Sequence, residues 1–324
     1  MQAIVHSQFG PPDVLRLAEI AKPTPKEGEV LVKVRAAAVN PLDWHFVRGE
    51  PRMLRLSGKP HERVPGGDVA GHVEAVGAKV ARLKPGDEVF GTCRGSFAQY
   101  ACGAASHLVR KPAMLSFEQA ASMGVAGCTA LRALRDHGRF RVGHSVLVNG
   151  AAGGVGTFAV QIAKALGGSV TGVCSTRNVD LVRSLGAEHV VDYTREDCTR
   201  SDRRYDLILQ VAGNRSVPEL KRVLAPDGTL VVIGGGVGRE ADDQNSALGI
   251  LTLLAQSLLS RFARQRVQML LATIREIDLT FLAELAEAEK LRPVIDRTYP
   301  LAEAGAAIAY LEAGHARGKV VITV

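Results

Sequence analysis

The stretch SVLVNGAAGGVGTFAVQIAKALG, residues 145–167, constrains the fold of this chain more than any other part of it. It begins with the apolar run Val146–Val148, which is typical of a buried parallel strand. A glycine turn over Ala151–Gly156 follows, and apolar residues then repeat at helical spacing until Gly167 and Gly168 end the helix. Strand, glycine turn and helix in this order predict a dinucleotide-binding unit, because the glycines let the backbone approach a pyrophosphate at the helix N-terminus.

The glycine turn has one irregular position, since Ala151 stands where the first glycine of the usual motif is expected. An ordinary strand-to-helix turn, with glycines that serve packing alone, is therefore the alternative. A second strand, Ser169–Val173, follows the helix at the distance expected of a dinucleotide-binding unit. This context favours the nucleotide site.

The residues after the second strand indicate which nicotinamide cofactor is used. NAD sites carry a carboxylate there for the ribose 2′-hydroxyl, whereas a basic residue accommodates the 2′-phosphate of NADP. Here Ser175, Thr176, Arg177 and Asn178 follow, with no carboxylate before Asp180. Arg177 is the best charge partner for a phosphate, because a guanidinium matches two phosphate oxygens at once. The stretch predicts NADPH rather than NADH, and a solvated loop arginine is the alternative for Arg177.

Composition is that of a globular chain large enough for two domains. Of 324 residues, 46% are hydrophobic and 23% are charged, and the formal charge of +7 is scattered without a block of like charges. This distribution is weak evidence for nucleic-acid binding. Five dispersed cysteines without a C-x-x-C pair predict free thiols in a reducing compartment. No targeting segment is visible, and the longest apolar segment, residues 247–259, is too short to span a bilayer, so we expect a soluble, cytoplasmic protein.

The order of elements predicts an α/β fold of two domains. Short strands with glycine turns over residues 1–120 indicate a compact β-rich domain, and helical periodicity begins at Ser116, where Ser116 and Gln119 form a capping box. Strands and helices alternate from residue 145 to about 272, which predicts a doubly wound parallel sheet. We assign residues 1–120 with the returning tail 275–324 to the substrate domain, and 121–274 to the nucleotide domain. In the tail we expect a helix over 279–289, a strand over 293–295, a helix over 301–313 and a last strand over 319–324.

Several segments together resemble the medium-chain dehydrogenase/reductase superfamily over essentially the whole chain. They are PGGDVAG at residues 65–71, KPGDEV at 84–89, the glycine turn, LGA at 185–187 and GKVVI at 318–322. The sequence is most similar to the zinc-independent quinone oxidoreductases of the zeta-crystallin group. NPLD at residues 40–43 and the pair Cys174-Ser175 resemble the reticulon-interacting branch and the plant alkenal reductases more closely still. The resemblance implies a GroES-like domain beside a Rossmann domain.

The same resemblance implies that no metal is bound. The three catalytic zinc ligands of the zinc alcohol dehydrogenases align with Asn40, Gly67 and Val125, which cannot hold zinc together. The lobe of four cysteines that binds their structural zinc is missing, because Gly91 leads almost directly to Gly95.

Without a zinc ion, reduction of a conjugated carbonyl is better supported than oxidation of an alcohol, because a quinone or enone accepts a hydride with less help. Asn40 is the candidate donor to the developing oxyanion, and a turn residue before Pro41 is the alternative. His45 stands where related reductases often carry a tyrosine; it either supplies a proton or is a packing or surface histidine. For Asp43 we expect a capping role.

The resemblance also implies the cofactor contacts. They are Thr129, Gly153, Gly154, Val155, Ser175, Tyr193 and the backbone near Ile233 and Gly234, where the glycines of residues 234–238 border the nicotinamide or form a flexible turn. The lysine that some relatives carry after the second strand aligns with Asn178, so Arg177 must take its place. Lys319 is a weaker candidate.

These observations predict an NADPH-dependent, zinc-free oxidoreductase that transfers hydride to quinones or α,β-unsaturated carbonyls. We expect a homodimer, as is usual in the family, with a small-molecule substrate and no membrane or nucleic-acid partner. A more specialised enoyl reductase is one alternative. A low-activity NADPH-binding interaction or RNA-binding protein is another, although the scattered charge and an aromatic content of 5% argue against it.

Overall fold

The computed structural model describes residues 1–50, 63–212, 214–233 and 264–324. The chain divides into two compact units. The first comprises Met1–Cys128, Ile274–Ala288 and Pro293–Val324, and the second comprises Thr129–Thr273 and Glu289–Arg292. The first unit continues past residue 120, where the sequence places a boundary, and the domain assignment itself stays a prediction.

The strands and helices follow one another from the N-terminus with these bounds. The strands are β1 Gln2–Val5, β2 Arg16–Glu19, β3 Glu29–Val39, β4 Asp68–Val76, β5 Glu88–Thr92, β6 Tyr100–Ala104, β7 Leu108–Arg110, β8 Ser145–Asn149, β9 Ser169–Cys174, β10 His189–Asp192, β11 Tyr205–Gln210, β12 Leu224–Ile233, β13 Arg266–Leu270, β14 Ile295–Pro300 and β15 Lys319–Thr323. The α-helices are α1 Pro41–Arg48, α2 Phe117–Ala121, α3 Gly124–Arg132, α4 Gly154–Ala165, α5 Val179–Ser184, α6 Val217–Arg222, α7 Glu276–Glu287 and α8 Ala304–Glu312.

The first unit is organised around the long strand β3. Val32 and Val34 are buried while Lys33 and Arg35 are exposed, which is the alternation of a strand with one face in the core. The first half of β3 pairs with β6, its second half pairs with β15, and β4 runs along its other edge. The sheet continues through β5 to β7, and β14 lies outside β15. Strand β3 therefore delivers its last residue, Val39, and the start of α1 next to the C-terminal strand.

The second unit is a six-stranded parallel sheet in the order β10-β9-β8-β11-β12-β13. Counted along the unit, this is the order 3-2-1-4-5-6 of the dinucleotide-binding fold, whose ligands lie beyond the carboxyl ends of the strands where the order reverses. Strand β8 is buried along Val146–Asn149, as expected of a strand covered on both faces. The predicted fold class is confirmed.

Some predicted elements differ from the structure. The apolar residues Pro293 and Val294 are not in a strand; β14 begins at Ile295 and covers the more polar segment that follows, because it is an edge strand with one partner. Helix α3 begins at Gly124 and is followed by a π-helical turn over Ala133–His137. The apolar segment of residues 247–259 lies outside the described residues.

Candidate functional site

The turn between β8 and α4 depends on glycine at two positions. Gly150 has a φ of +91°, in the left-handed region that favours glycine. A Cβ at Gly156 would lie 2.0 Å from the carbonyl oxygen of Gly150, so no larger residue fits there. The N–H groups of Gly150 and Ala151 both donate to the carbonyl oxygen of Val173 on β9, at 3.2 and 3.0 Å. The turn is thereby held close to the carboxyl end of its neighbouring strand.

The alanine in the motif is accommodated by a glycine on the next strand. Ala151 is buried, and a Cβ at Gly172 would lie 3.0 Å from the Cβ of Ala151 and 2.4 Å from Cγ1 of Val182. The side chain that the motif gains at Ala151 therefore occupies space that β9 leaves open at Gly172. The signal in the sequence is a glycine in the middle of a strand.

The N-terminus of α4 is open to a ligand. Gly153 is the N-cap residue and has no side chain to satisfy the first N–H groups of the helix. A Cβ placed on Gly153 would have only the Gly150 carbonyl oxygen nearby, at 3.6 Å, so this position is space that a ligand can fill. The predicted residues Gly154 and Val155 are the first two residues of the helix, where free N–H groups and the helix dipole favour an anion.

The residues after β9 form a short 3₁₀ turn over Thr176–Asn178. Asn178 is buried, and its Nδ2 donates to Oγ of Ser175 at 3.2 Å. Its Oδ1 is buried and has no hydrogen-bond partner among the residues that the structure describes. Arg177 lies on the same turn with its side chain exposed. The predicted residues Ser175 and Arg177 thus lie on one turn at the carboxyl edge of the sheet.

A carboxylate that the sequence analysis missed lies beside this turn. Asp192 ends β10 and pairs in register with Cys174, the last residue of β9. Its Oδ2 accepts from Oγ1 of Thr176 at 2.6 Å, and its Oδ1 accepts from the backbone N–H and the hydroxyl of Thr194 at 3.0 and 2.7 Å. The hydrogen bond from Thr176 lowers the pKa of Asp192. Tyr193 follows it with a side chain that is half exposed.

The remaining cofactor candidates also lie in the second unit, with one exception. Thr129 is buried, and its Oγ1 has no hydrogen-bond partner among the described residues. Ile233 is buried at the carboxyl end of β12. Gly234 and the loop after it lie outside the described residues. The exception is Lys319, which belongs to the first unit.

Asn40 begins α1 and lies in a buried polar cluster of the first unit. Its backbone N–H donates to Oδ2 of Asp43 at 2.7 Å, so Asp43 has the predicted capping role. The Asn40 side chain donates from Nδ2 to Oδ2 of Asp68 at 2.9 Å and to the carbonyl oxygen of Ala38 at 3.3 Å. Both amide hydrogens are therefore used inside the protein, the second in a long hydrogen bond.

Lys319 and Val125 complete this cluster. The Lys319 ammonium donates to Oδ1 of Asn40 at 2.6 Å, to the Val39 carbonyl oxygen at 3.1 Å and to Oδ2 of Asp68 at 3.4 Å. The backbone N–H of Val125 donates to Oδ1 of Asp68 at 2.7 Å. Lys319 is a weaker cofactor candidate by sequence; the structure instead buries it, with three acceptors for its three N–H groups.

Burial dominates the electrostatics of the cluster. It raises the pKa of Asp43 to about 7, with the nearby Asp68 charge adding to the effect and the Asn40 and Gly66 N–H groups opposing it. Burial also raises the pKa of Asp68, against the Lys319 ammonium and the Asn40 amide, which favour the ionised carboxylate. One lysine thus faces two buried carboxyl groups, and Asp43, with its pKa of about 7, is the one that keeps its proton until the pH approaches neutral.

His45 lies on α1 and stacks on Trp44, with ring centroids 3.6 Å apart. Its Nδ1 and the Nε1 of Trp44 are both buried and without a hydrogen-bond partner among the described residues. Burial lowers the pKa of His45. An imidazolium there would place a second N–H in a position without an acceptor, so the neutral ring is favoured.

No three His, Cys, Asp or Glu side chains come together as a metal site in the part of the chain that the structure describes. The positions aligned with zinc ligands supply an amide, a glycine and a backbone N–H that bonds Asp68, and an ammonium group lies 2.6 Å from the Asn40 oxygen. These groups do not form a zinc ligand set. Among the described helices, none has the length and apolar character needed to cross a bilayer.

Comparisons with known proteins find two dehydrogenase domain families that match this chain. The alcohol dehydrogenase GroES-like domain matches residues 26–113, and the family described as zinc-binding dehydrogenase matches residues 185–322. The chloroplastic quinone-oxidoreductase QR1 of Triphysaria versicolor is 33% identical over 99% of this chain and 98% of its own. A chloroplastic NADPH-dependent alkenal/one oxidoreductase of Arabidopsis thaliana is 34% identical over 99% of this chain and 79% of its own. The solved quinone oxidoreductase of Coxiella burnetii has a TM-score of 0.85 and 31% identity, covering 100% of this chain and 99% of its own.

A GroES-like unit and a doubly wound nucleotide unit with an open glycine turn define an oxidoreductase of the medium-chain dehydrogenase/reductase class. Within this class, the chain belongs to the quinone oxidoreductase family.

Proposed function

We propose that this protein is an NADPH-dependent reductase that transfers hydride to quinones or α,β-unsaturated carbonyls without a metal ion. The observation that carries the proposal is the open N-terminus of α4, where Gly153 leaves space for a pyrophosphate. The relatives named quinone oxidoreductase and NADPH-dependent alkenal/one oxidoreductase support the substrate class and the cofactor.

The residues of the second unit fit a dinucleotide. The N–H groups of Gly154 and Val155 are oriented for a diphosphate, and the unpartnered hydroxyl of Thr129 is a buried polar group that a bound cofactor would satisfy. Because Ser175 Oγ accepts from Asn178, its own hydrogen is left to donate to a phosphate oxygen. Arg177 on the same turn supplies positive charge for the 2′-phosphate. When bound, NADPH supplies the hydride.

The first unit supplies the groups that act on the substrate carbonyl. Asn40 donates to the oxygen that gains negative charge during hydride transfer, exchanging its 3.3 Å hydrogen bond to Ala38 for one to the substrate. His45 is neutral near pH 7, so it acts as a hydrogen-bond donor rather than as an acid, and the proton comes from solvent. Of the two alternatives that the sequence leaves open for His45, we propose the one in which it does not deliver the proton.

Steady-state kinetics with a panel of quinones and enones tests the proposal. We expect NADPH oxidation to depend on the acceptor, and NADPH to give a higher kcat/KM than NADH. Tight NADPH binding without turnover on any acceptor would favour the NADPH-binding interaction protein instead. Turnover confined to enoyl thioesters would favour a specialised enoyl reductase.

We further propose a cytoplasmic homodimer. The homodimer is the oligomeric state that the family resemblance implies. The five cysteines are buried and form no disulfide bond with one another, as is usual in a reducing compartment. Light scattering of the purified protein and fractionation of cells test the two parts separately.

A further inference from the structure

The ammonium of Lys319 is buried in the first unit, and neither the fold nor a contact with the cofactor explains why a lysine is placed there. The side chain of Lys319 is 3% exposed and its three hydrogens have three acceptors. A buried lysine commonly serves as the counter-ion of a buried carboxylate, which here would be Asp68. The distances indicate a different main partner, because the ammonium lies 2.6 Å from Oδ1 of Asn40 and 3.4 Å from Oδ2 of Asp68.

The bond to Asn40 changes how the amide behaves. A charge-assisted hydrogen bond to the amide oxygen draws electron density from the amide nitrogen, and linked hydrogen bonds strengthen one another in this way. It also fixes which atom of the Asn40 side chain is the donor, because a flipped amide would place its NH₂ group against the ammonium. The Nδ2 group of Asn40 is therefore both oriented and strengthened as a donor.

Asp68 holds the other side of the same amide. Its Oδ2 accepts one Nδ2 hydrogen of Asn40 at 2.9 Å, and its Oδ1 is fixed by the backbone N–H of Val125. A Cβ at Gly124 would lie 2.3 Å from Oδ1 of Asp68, so glycine at this position permits the close approach. One Nδ2 hydrogen of Asn40 is thereby locked, and the other makes only the long contact to Ala38.

We propose that Lys319 is a positioning residue for Asn40: its ammonium orients and polarises the Asn40 amide so that the Nδ2 hydrogen that makes the long bond to Ala38 donates to the substrate oxyanion instead. This inference rests on the proposed function, since it assigns Lys319 a task in hydride transfer to a carbonyl. It assigns Lys319 no contact with the cofactor or the substrate.

The test compares Lys319→Met combined with Asp68→Asn against Asp68→Asn alone. Lys319→Met alone leaves a buried carboxylate without its counter-ion and risks misfolding, whereas the double variant stays neutral. Asp68→Asn alone leaves Lys319 with the oxygens of Asn40 and Val39 as acceptors, so it is the reference for any loss of kcat that comes from Asp68 itself. We expect kcat to fall about 10- to 100-fold on adding Lys319→Met to Asp68→Asn, by analogy with the loss of activity when a residue that orients a metal ligand is removed. The KM for NADPH should stay unchanged.

Lys111→Met is the matched control. Lys111 has a side chain that is 5% exposed, and its ammonium donates to the carbonyl oxygens of Leu115 and Pro112 and pairs with Glu88, away from Asn40. Lys111→Met replaces a similarly buried lysine by the same residue, and it should leave kcat unchanged. Equal losses of kcat in the two lysine variants, or none in the double variant, would overturn the proposal.

The side-chain amide resonances of Asn40 give a readout that does not need turnover. We expect them to shift when Lys319→Met is added to Asp68→Asn, and to stay in place in Lys111→Met. If the wild type reduces no acceptor, the proposed function fails. Asn40 resonances that do not shift when Lys319→Met is added would refute the positioning role of Lys319, whatever the outcome for the proposed function.

Discussion

Asp43→Asn should change how stability depends on pH. Burial raises the pKa of Asp43 from 3.8 to about 7, so the folded protein holds a proton on this carboxyl that the unfolded chain has released. The folded state therefore binds more protons between these two pH values, and stability falls as pH rises. At about 1.4 kcal/mol per pH unit, the free energy of unfolding loses about 4 kcal/mol from this group between pH 4 and pH 7.

An asparagine at position 43 does not titrate, so the variant lacks this loss. It gives up one acceptor for the N–H groups of Asn40 and Gly66, a cost of about 1–3 kcal/mol that is the same at every pH. We therefore expect the free energy of unfolding of the variant, minus that of wild type, to rise by about 4 kcal/mol from pH 4 to pH 8. The informative quantity is this rise, whatever its starting value.

Fluorescence-monitored urea unfolding at several pH values measures this difference in the free energy of unfolding for the first unit, which contains Asp43. Trp44 is the only tryptophan of the sequence and lies next to Asp43 on α1, so its emission reports the first unit. Asp180→Asn is the control, because that side chain is fully exposed. A difference between Asp43→Asn and wild type that stays constant with pH would refute the assignment of a buried, protonated carboxyl group.

Three further predictions concern the cofactor turn and His45. Gly153→Ala should leave the fold intact, since its Cβ meets nothing closer than 3.6 Å, but it should weaken NADPH binding in calorimetry because the Cβ fills the space for the diphosphate. Gly156→Ala should instead destabilise the turn itself, because its Cβ would lie 2.0 Å from a carbonyl oxygen. Equal effects of the two variants on stability and on NADPH binding would contradict this distinction. Burial lowers the pKa of His45 and favours its neutral ring, so we expect kcat to stay level from pH 6.5 to pH 8. A decline in kcat with rising pH that disappears in His45→Asn would show instead that an imidazolium donates the proton. Asn178→Lys adds a charge beside Ser175 and should tighten NADPH about tenfold while leaving NADH unchanged, as measured by fluorescence titration; equal gains for both cofactors would place residue 178 away from the 2′-phosphate.

The local patterns of the sequence predict the elements that depend on near neighbours. Ser116 and Gln119 form the expected capping box, with reciprocal hydrogen bonds of 3.0 and 3.2 Å, because both partners lie within one helical turn. The glycine turn after β8 is likewise a local requirement, since Gly150 and Gly156 meet each other across six residues of chain. Such features follow from backbone geometry alone.

Features that depend on strand pairing could not be found in this way. Lys319 and Asn40 are 279 residues apart, and only the pairing of β15 with β3 brings them together. Asp192 lies beside Thr176 because β10 pairs with β9, so a search limited to the residues after the second strand misses this carboxylate. The burial of Lys319 likewise has no signal in the sequence, since GKVVI describes an ordinary last strand.

Turnover by metal-depleted protein tests the central claim most directly. The protein is treated with a strong chelator, its metal content is measured by mass spectrometry, and NADPH oxidation is followed with a quinone in a single turnover. We expect the same rate before and after chelation, because Asn40, Gly67 and Val125 stand where zinc ligands would be needed and the ammonium of Lys319 lies against the Asn40 oxygen. A rate that is lost on chelation and restored by zinc would contradict it.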